Sequence, residues 1–352
     1  MRRDAGFSLV ELLVVIVIMV VVIAAASDMF VNMVRGYKQQ TKIAETGVEG
    51  IVGLELLRRD IESAGYGLPW DVTAWSNYNE ATNAQAAAFN DAPANAPRAL
   101  LSGFDANNSA YLVIKAINLA RNDACTKWTF LPSTGLVSSW TPTSENLLAT
   151  DRTIVISPGS DATSARWLVS RGTFSPDMIA MFSNEETRII YGIDPDTNLR
   201  MPFNRADYYI STTVNRPTHC AQGTGVLVKA IVSQADGGFN GLDMLPLLDC
   251  VADMQVVTYL DTNVDGQWET MSNGLNLGSA LNVREQLKEV HLYILAHEGL
   301  RDMTYTQPSN IILVGQSAIL GRNFDLTTLA DPDWQHYRWK VYRLIVRPDN
   351  LR

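Results

Sequence analysis

The chain has 352 residues, of which 47% are hydrophobic and 18% are charged, and its formal net charge is −9. This length is sufficient for one or two domains with a packed core, and the acidic balance argues against general nucleic-acid binding. The three cysteines include no C-x-x-C pair and are too widely spaced for a compact zinc motif.

The N-terminus is a short basic leader followed by an apolar segment in which residues 12–26 are all Leu, Val, Ile, Met or Ala. A helix over residues 7–27 would be about 30 Å long, enough to cross a bilayer once. Two arginines precede the segment and the next basic residue is Arg35, so the positive-inside rule predicts a cytoplasmic N-terminus and an exported remainder. The Ala-rich end at 24–27 also fits a Sec cleavage site, but the apolar run exceeds the usual ~7–15 residues of such signals.

One acid, Glu11, lies inside this apolar segment. A carboxylate at mid-bilayer costs about 2.5–3.5 kcal/mol on insertion scales, so its position calls for a functional reason. The surrounding sequence, RRDAG followed by FSLVELLVVIVIMVVV, resembles the class III leader of type IV pilins and of the pseudopilins of type II secretion. The resemblance implies cleavage between Gly6 and Phe7 by a prepilin peptidase and N-methylation of the new amine on Phe7.

The resemblance also offers a role for the carboxylate of Glu11. Cleavage creates an α-amino cation with a reference pKa of about 7.7–8, and the resemblance implies that Glu11 meets this cation on a neighbouring subunit of a filament. Pairing lowers the cost of the membrane carboxylate and thereby favours assembly. The alternative is a plain signal anchor with an incidental acid.

Three further stretches, 56–69, 247–269 and 336–352, are similar to PilW-type minor pilins and, in the first of them, also to J-type pseudopilins. The PilW-type resemblance implies a minor pilin of a type IV pilus, at or near its tip, that helps prime assembly for motility or adhesion. The alternatives are a J-type pseudopilin of a type II secretion system, or a membrane-anchored periplasmic binding protein or enzyme.

The implied partners are other minor pilins, the major pilin, the prepilin peptidase and the inner-membrane pilus assembly platform. The implied location is the inner membrane, in a single pass with the N-terminus cytoplasmic and the head periplasmic, followed by the cell surface in the pilus. No nucleic-acid partner is expected.

Beyond the apolar segment the helical rhythm continues at three- and four-residue steps and predicts an apolar stripe that faces the head, made of Ile43, Gly47, Ile51, Leu54, Leu57 (or Arg58) and Ile61. Gly65, Gly67 and Pro69 are helix-ending residues. The pattern predicts one helix from about residue 8 to 64.

Residues 69–110 are rich in Ala, Asn and Pro and predict a long surface loop with one short helix near 84–90. Strands are predicted at 111–117, 153–157, 166–170, 187–193, 207–214, 225–233, 253–260, 288–297, 310–319 and 337–347, and short helices at 242–250 and 325–330. The predicted fold is α+β and pilin-like: a long N-terminal helix, transmembrane in its first half, packed on an antiparallel β-sheet with an elaborated β-rich head. The predicted divisions are a leader at 1–6, a membrane or filament-core helix at 7–27, its amphipathic continuation at 28–68 and the head at 69–352.

The segment DTNVDGQWE suggests a calcium loop, because oxygen-bearing side chains alternate before a glycine. The predicted ligands are Asp261, Asn263, Asp265, Glu269 and the backbone carbonyl of Gln267. The bidentate acid of an EF-hand is missing at the twelfth position, so this is not an EF-hand. The alternative is a plain hairpin, since Asp-Gly between strands is itself a strong turn signal.

An exported head permits a disulfide, and Cys125 with Cys220 is the chosen pair because both lie in polar, loop-like sequence. Pairing of either with Cys250, or no disulfide, stays open.

His291 and His297 lie about 20 Å apart along one predicted strand, too far to share a metal. The chain carries no G-x-S-x-G, Walker A or H-E-x-x-H motif, so we expect no enzymatic activity and no required cofactor.

Overall fold

A computed structural model describes residues 8–159, 165–182, 186–275 and 277–351. Helix α1 spans Leu9–Glu62, 54 residues, and confirms the long predicted helix. Three residues after its end, Gly65 takes a φ of +81°, a conformation that favours glycine, and the N–H of Gly65 donates to the carbonyl oxygen of Lys115 at 3.0 Å.

The two halves of α1 have different surroundings. Its first half exposes apolar side chains throughout, whereas Leu54, Leu57 and Ile61 near its C-terminal end are buried in the main core. The predicted stripe is therefore correct for these three residues. It is wrong for Ile51, which points away from the head and is 66% exposed.

The head contains fourteen strands and three short α-helices among the described residues. In chain order they are α2 (Ala84–Ala87), β1 (Leu100–Phe104), β2 (Ala110–Ala116), β3 (Trp128–Leu131), β4 (Arg152–Ser157), β5 (Trp167–Thr173), α3 (Pro176–Met181), β6 (Arg188–Asp194), β7 (Asn204–Ser211), β8 (Gly225–Val232), β9 (Phe239–Leu260), β10 (Thr270–Asn273), α4 (Ala280–Gln286), β11 (Leu287–Glu298), β12 (Ile311–Gly315), β13 (Gly321–Asp325) and β14 (Arg338–Val346).

The strands form three antiparallel sheets. The main sheet has the order β1-β2-β7-β8-β9-β11-β14, with β10 paired to β9; β3-β6-β4-β5 form a smaller sheet, and β12-β13 form a hairpin. Helix α1 packs on β9, β11 and β14, and the hairpin lies against β9 and β11. Strand β11 shows the two faces: Leu292 and Ile294 enter the core shared with α1, while Tyr293 and Leu295 enter the core under the hairpin.

The predicted helix at 242–250 is wrong, because these residues are part of β9. Pro246 would break the interior of a helix. In β9 it pairs with Val228 of β8 next to a register shift, which is a position where a sheet tolerates proline.

The backbone of α1 touches the backbone of β9 at Gly53. A Cβ atom added to this glycine would lie 1.8 Å from the carbonyl oxygen of Leu247, so no side chain fits without moving the helix. One turn earlier, a Cβ on Gly50 would lie 2.9 Å from Cδ1 of Leu248. By contrast, a Cβ on Gly47 meets nothing within 4 Å.

Polar contacts fix the C-terminal end of α1 to the head. Lys229 of β8 lies 2.7 Å from the carboxylate of Asp60, which also accepts the hydroxyl of Tyr208. The backbone N–H of Asp349 donates to the carbonyl oxygen of Glu62 at 3.0 Å, so the C-terminal segment closes over the helix end.

A buried network of charges anchors the segment that leads into β1. Lys115 lies 2.7 Å from Glu80 and 2.6 Å from Asp91, while Arg205 lies 2.9 Å from Glu80 and 2.7 Å from Asp207. All five side chains are buried. Burial alone would raise the pKa of Glu80, but Lys115 and Arg205 outweigh it and hold that pKa below its usual value.

This network corrects the prediction of a surface loop at 69–110. The segment contains β1, and the side chains of Glu80 and Asp91 reach inside to charges on β2 and β7. The Ala- and Asn-rich composition of the segment gave no sign that these two acids are buried against Lys115 and Arg205.

We predict that Gly53→Ala destabilises the head by about 1–3 kcal/mol, because the added methyl group must push α1 off β9. Gly47→Ala is the matched control and should be neutral or stabilise by up to ~1 kcal/mol, as alanine does in an open helix. Thermal melting of the full chain in detergent measures both. Equal stabilisation by both variants would contradict the close backbone contact.

We predict that Glu80→Ala costs about 3–5 kcal/mol, because it leaves two buried cations without their shared acid. Glu55→Ala is the control, since Glu55 forms an exposed ion pair with Arg58 on α1 that is worth at most ~1 kcal/mol. Because the folded-state pKa of Glu80 is lowered, its contribution is present above the pKa of the unfolded chain and is lost as pH falls through the folded-state value. Urea unfolding at neutral and acidic pH tests this, and a Glu80→Ala loss no larger than that of Glu55→Ala would contradict it.

Candidate functional site

The start of α1 is held by a reciprocal cap. The hydroxyl oxygen of Ser8 accepts the N–H of Val10 at 3.3 Å, and Glu11 Oε2 accepts the N–H of Ser8 at 3.0 Å. The first N–H groups of a helix have no carbonyl partner, and inside a bilayer water cannot replace one. Glu11 therefore has a local role that the sequence interpretation missed, although the S-x-x-E spacing of Ser8 and Glu11 is a recognised sign of this cap.

The cap uses one oxygen of the Glu11 carboxylate. Within the part of the chain that the structure describes, Glu11 Oε1 has no hydrogen-bond partner. It is therefore available to a second donor, such as the amine of a neighbouring subunit. The predicted processing residues, Gly6 and Phe7, lie outside the described residues.

The first half of α1 exposes a continuous apolar surface. The helix is long and apolar enough to cross a membrane, and none of its most apolar window is buried inside the structure. The exposed side chains between the cap and the end of the apolar segment are Leu9, Val10, Leu12, Leu13, Val14, Val15, Ile16, Val17, Ile18, Met19, Val20, Val21, Val22 and Ile23. A surface of this kind requires lipid or other apolar helices around it.

The sequence profile of the prokaryotic N-terminal methylation motif matches residues 1–27. This match supports a type IV pilin or pseudopilin. For such a prepilin, the motif implies processing by a prepilin peptidase and assembly with other pilins in a membrane machinery. The apolar start of α1 fits a membrane-anchored pilin, and the α+β architecture of helix and antiparallel sheets is pilin-like. No curated protein and no solved structure matches the chain significantly.

The segment proposed for calcium is the turn between β9 and β10, which pair from Leu260 and Thr270. Asp261 accepts the backbone N–H groups of Asp265 at 3.1 Å and Gly266 at 2.8 Å, and Lys288 lies 3.1 Å from the same carboxylate. Burial opposes the charge of Asp261, but the Gly266 amide and Lys288 outweigh it and lower the pKa of this carboxyl.

The other predicted ligands also take part in shaping the turn. Asn263 accepts the N–H of Asp265 at 3.0 Å, and Glu269 accepts that of Thr262 at 3.0 Å. Oxygens of Asp261, Asp265 and Glu269 nevertheless lie within 4.8 Å of one another. The alternative interpretation, a hairpin turn between β9 and β10, is confirmed. Calcium binding stays a prediction, and the cation would have to compete with Lys288 for the carboxylate of Asp261.

The predicted disulfide between Cys125 and Cys220 is wrong. Cys220 is bonded to Cys250, with their Cα atoms 4.9 Å apart. The error follows from the wrong helix at 242–250: as part of β9, Cys250 lies against the loop that precedes β8. Cys125 is a buried free thiol, and burial raises its pKa to about 11.

The two strand histidines have separate partners. His291 lies 3.0 Å from Glu289. His297 Nε2 accepts the N–H of Ala221, next to the disulfide, at 2.9 Å. Burial, with a smaller effect of His219, lowers the pKa of His297 to about 3, so the ring is neutral and serves as an acceptor.

We predict that millimolar calcium binds the β9–β10 turn and raises the stability of the full chain over that in chelator. At a concentration about tenfold above Kd the gain is ~1.4 kcal/mol, and extracellular calcium sites often have Kd values of about 10⁻⁴–10⁻³ M. Asp265→Asn should abolish the gain, whereas Asp196→Asn, in an exposed turn elsewhere, should keep it. Identical melting of the wild type in calcium and in chelator would reduce the segment to a hairpin turn.

Proposed function

We propose that this chain is a PilW-type minor pilin, a non-enzymatic subunit of a type IV pilus that lies at or near the tip and helps prime assembly. The observation that carries the proposal is α1: a single 54-residue helix in a chain with a prepilin motif, apolar and exposed in its first half and docked on the head in its second. A helix divided in this way suits a subunit that passes from a bilayer to a bundle of similar helices.

The extent of the head supports a place at the tip. The small sheet β3-β6-β4-β5 is an addition to the head that contacts the residues following α1: Tyr66 contacts Tyr191 of β6 with ring centroids 5.8 Å apart, and the N–H of Trp70 donates to the carbonyl of Arg166. In a filament whose helices are stacked along one axis, added head structure next to the C-terminal end of the helix would occupy space that the next subunit needs. A subunit at the tip has no such neighbour.

The partners in this proposal are other minor pilins, the major pilin and the inner-membrane assembly platform. The head would face the periplasm before assembly and the cell exterior afterwards. The role requires no cofactor, and calcium at the β9–β10 turn would only stabilise the head.

The test replaces Glu11 in two ways that separate its charge from its cap. Glu11→Gln keeps an acceptor for the Ser8 amide but removes the charge, whereas Glu11→Val removes both. We predict that both variants insert in the membrane and that both fall at least about tenfold in sheared filaments, equivalent to ~1.4 kcal/mol of assembly free energy. Immunoblots of membrane and filament fractions measure this.

Asp28→Ala is the matched control, since it removes an acid from the same helix outside the apolar segment. It should leave incorporation unchanged. Normal incorporation of Glu11→Gln with loss of Glu11→Val would show that only the cap matters. Normal incorporation of both would contradict a role of Glu11 in assembly.

A further inference from the structure

A shallow depression on the small sheet is lined by two indoles. Trp128 of β3 and Trp140 in the following loop have ring centroids 4.9 Å apart, and a depression of about 370 Å³ opens over them. Its volume is within the range of small-molecule sites in proteins, about 300–1,000 Å³. Neither the prepilin motif nor helix α1 contributes a residue to the lining of this depression.

The indoles are fixed in place. Trp140 Nε1 donates to the carbonyl oxygen of Trp128 at 2.7 Å. Asn146 accepts the backbone N–H of Trp140 at 2.7 Å and donates to its carbonyl at 3.2 Å. Phe130 packs edge-on against Trp128, with centroids 4.9 Å apart, and is still 37% exposed. The aromatic rings therefore form a pre-organised platform at the surface.

The rim of the depression is polar. Glu145 is exposed and has no ion pair among the described residues, and Ser144 beside it is also exposed. Asp123, also in the lining, lies 2.5 Å from Lys127, which balances its charge while the Asp123 carboxylate stays largely exposed. The depression thus combines two indole rings with hydrogen-bond acceptors and one uncompensated negative charge.

This combination matches the chemistry of a sugar. The C–H face of a pyranose ring packs on the flat face of an indole, whose π-electrons are negative, and the ring hydroxyls donate to carboxylates at the edge. The negative charge of Glu145 disfavours phosphate groups and acidic sugars. The rings pack directly on one another and leave no gap between them, so they do not form the enclosing aromatic cage that quaternary ammonium groups require.

We propose that the platform of Trp128 and Trp140, which Phe130 supports from the side, binds a neutral saccharide, with Glu145 accepting hydrogen bonds from its hydroxyl groups. The site is lined by β3, by the segment before it and by the loop after it, so its lining includes no residue of the membrane-anchored half. This binding activity does not depend on the proposed place of the chain in a pilus.

The experiment titrates the full chain, in a detergent without a sugar headgroup, with lactose, maltose and N,N′-diacetylchitobiose, and with sialyllactose as the acidic comparison. Tryptophan emission and saturation-transfer NMR report binding in the millimolar range. We expect at least one neutral sugar to saturate the signal and sialyllactose to bind more weakly than lactose. Tetramethylammonium, as the cationic probe, should not compete.

Two variants locate the site. Trp140→Ala should weaken binding by about tenfold or more, and Glu145→Gln, which removes only an exposed charge, should weaken it several-fold without changing the melting temperature. Trp268→Ala removes an exposed tryptophan from the β9–β10 turn and should have no effect on binding. If Trp140→Ala unfolds, the decision rests on Glu145→Gln.

The proposal is overturned if no neutral sugar binds the wild type, or if Glu145→Gln binds as tightly as the wild type. It is also overturned if sialyllactose binds as well as lactose, or if tetramethylammonium displaces the sugar.

Discussion

The structure depends on the contact between the backbone of α1 and that of β9 at Gly53. Because no side chain separates them, the second half of the helix lies directly on the sheet, and Leu54, Leu57 and Ile61 reach the main core. Lys229 and Asp60 then fix the rotation of the helix. The head is thus bound to one half of α1 only, and the other half is left for a membrane or for other helices.

Buried charge has a second structural role in the head. Glu80 and Asp91 bring a segment of low hydrophobicity onto the main sheet by pairing with Lys115 and Arg205. Such pairs contribute little net stability compared with apolar packing, but removal of one partner is costly, so they specify where the segment lies.

The sequence predicted those parts of the fold whose signals are local. The length of α1 follows from an uninterrupted apolar and helical pattern, and most strands follow from β-branched and aromatic runs. In the 242–250 segment, Pro246 was a local signal against a helix, but an apolar run fits either element until β8 supplies its hydrogen-bonding partner. The pairing of Cys250 could not be predicted in this way, because it depends on which element the residue lies in. At the candidate site, Glu11 was conspicuous as an acid in an apolar segment. The platform of Trp128 and Trp140 was not, because the two residues are twelve positions apart and their contact depends on how the loop after β3 folds back onto that strand.

The central claim is that the exposed half of α1 is the assembly segment of a processed pilin. Mass spectrometry of the chain recovered from sheared filaments tests it most directly. The account predicts a mature chain that begins at a methylated Phe7 and retains the whole of α1. A chain that begins near residue 27, or that is found only in the membrane with residues 1–6 attached, would contradict it.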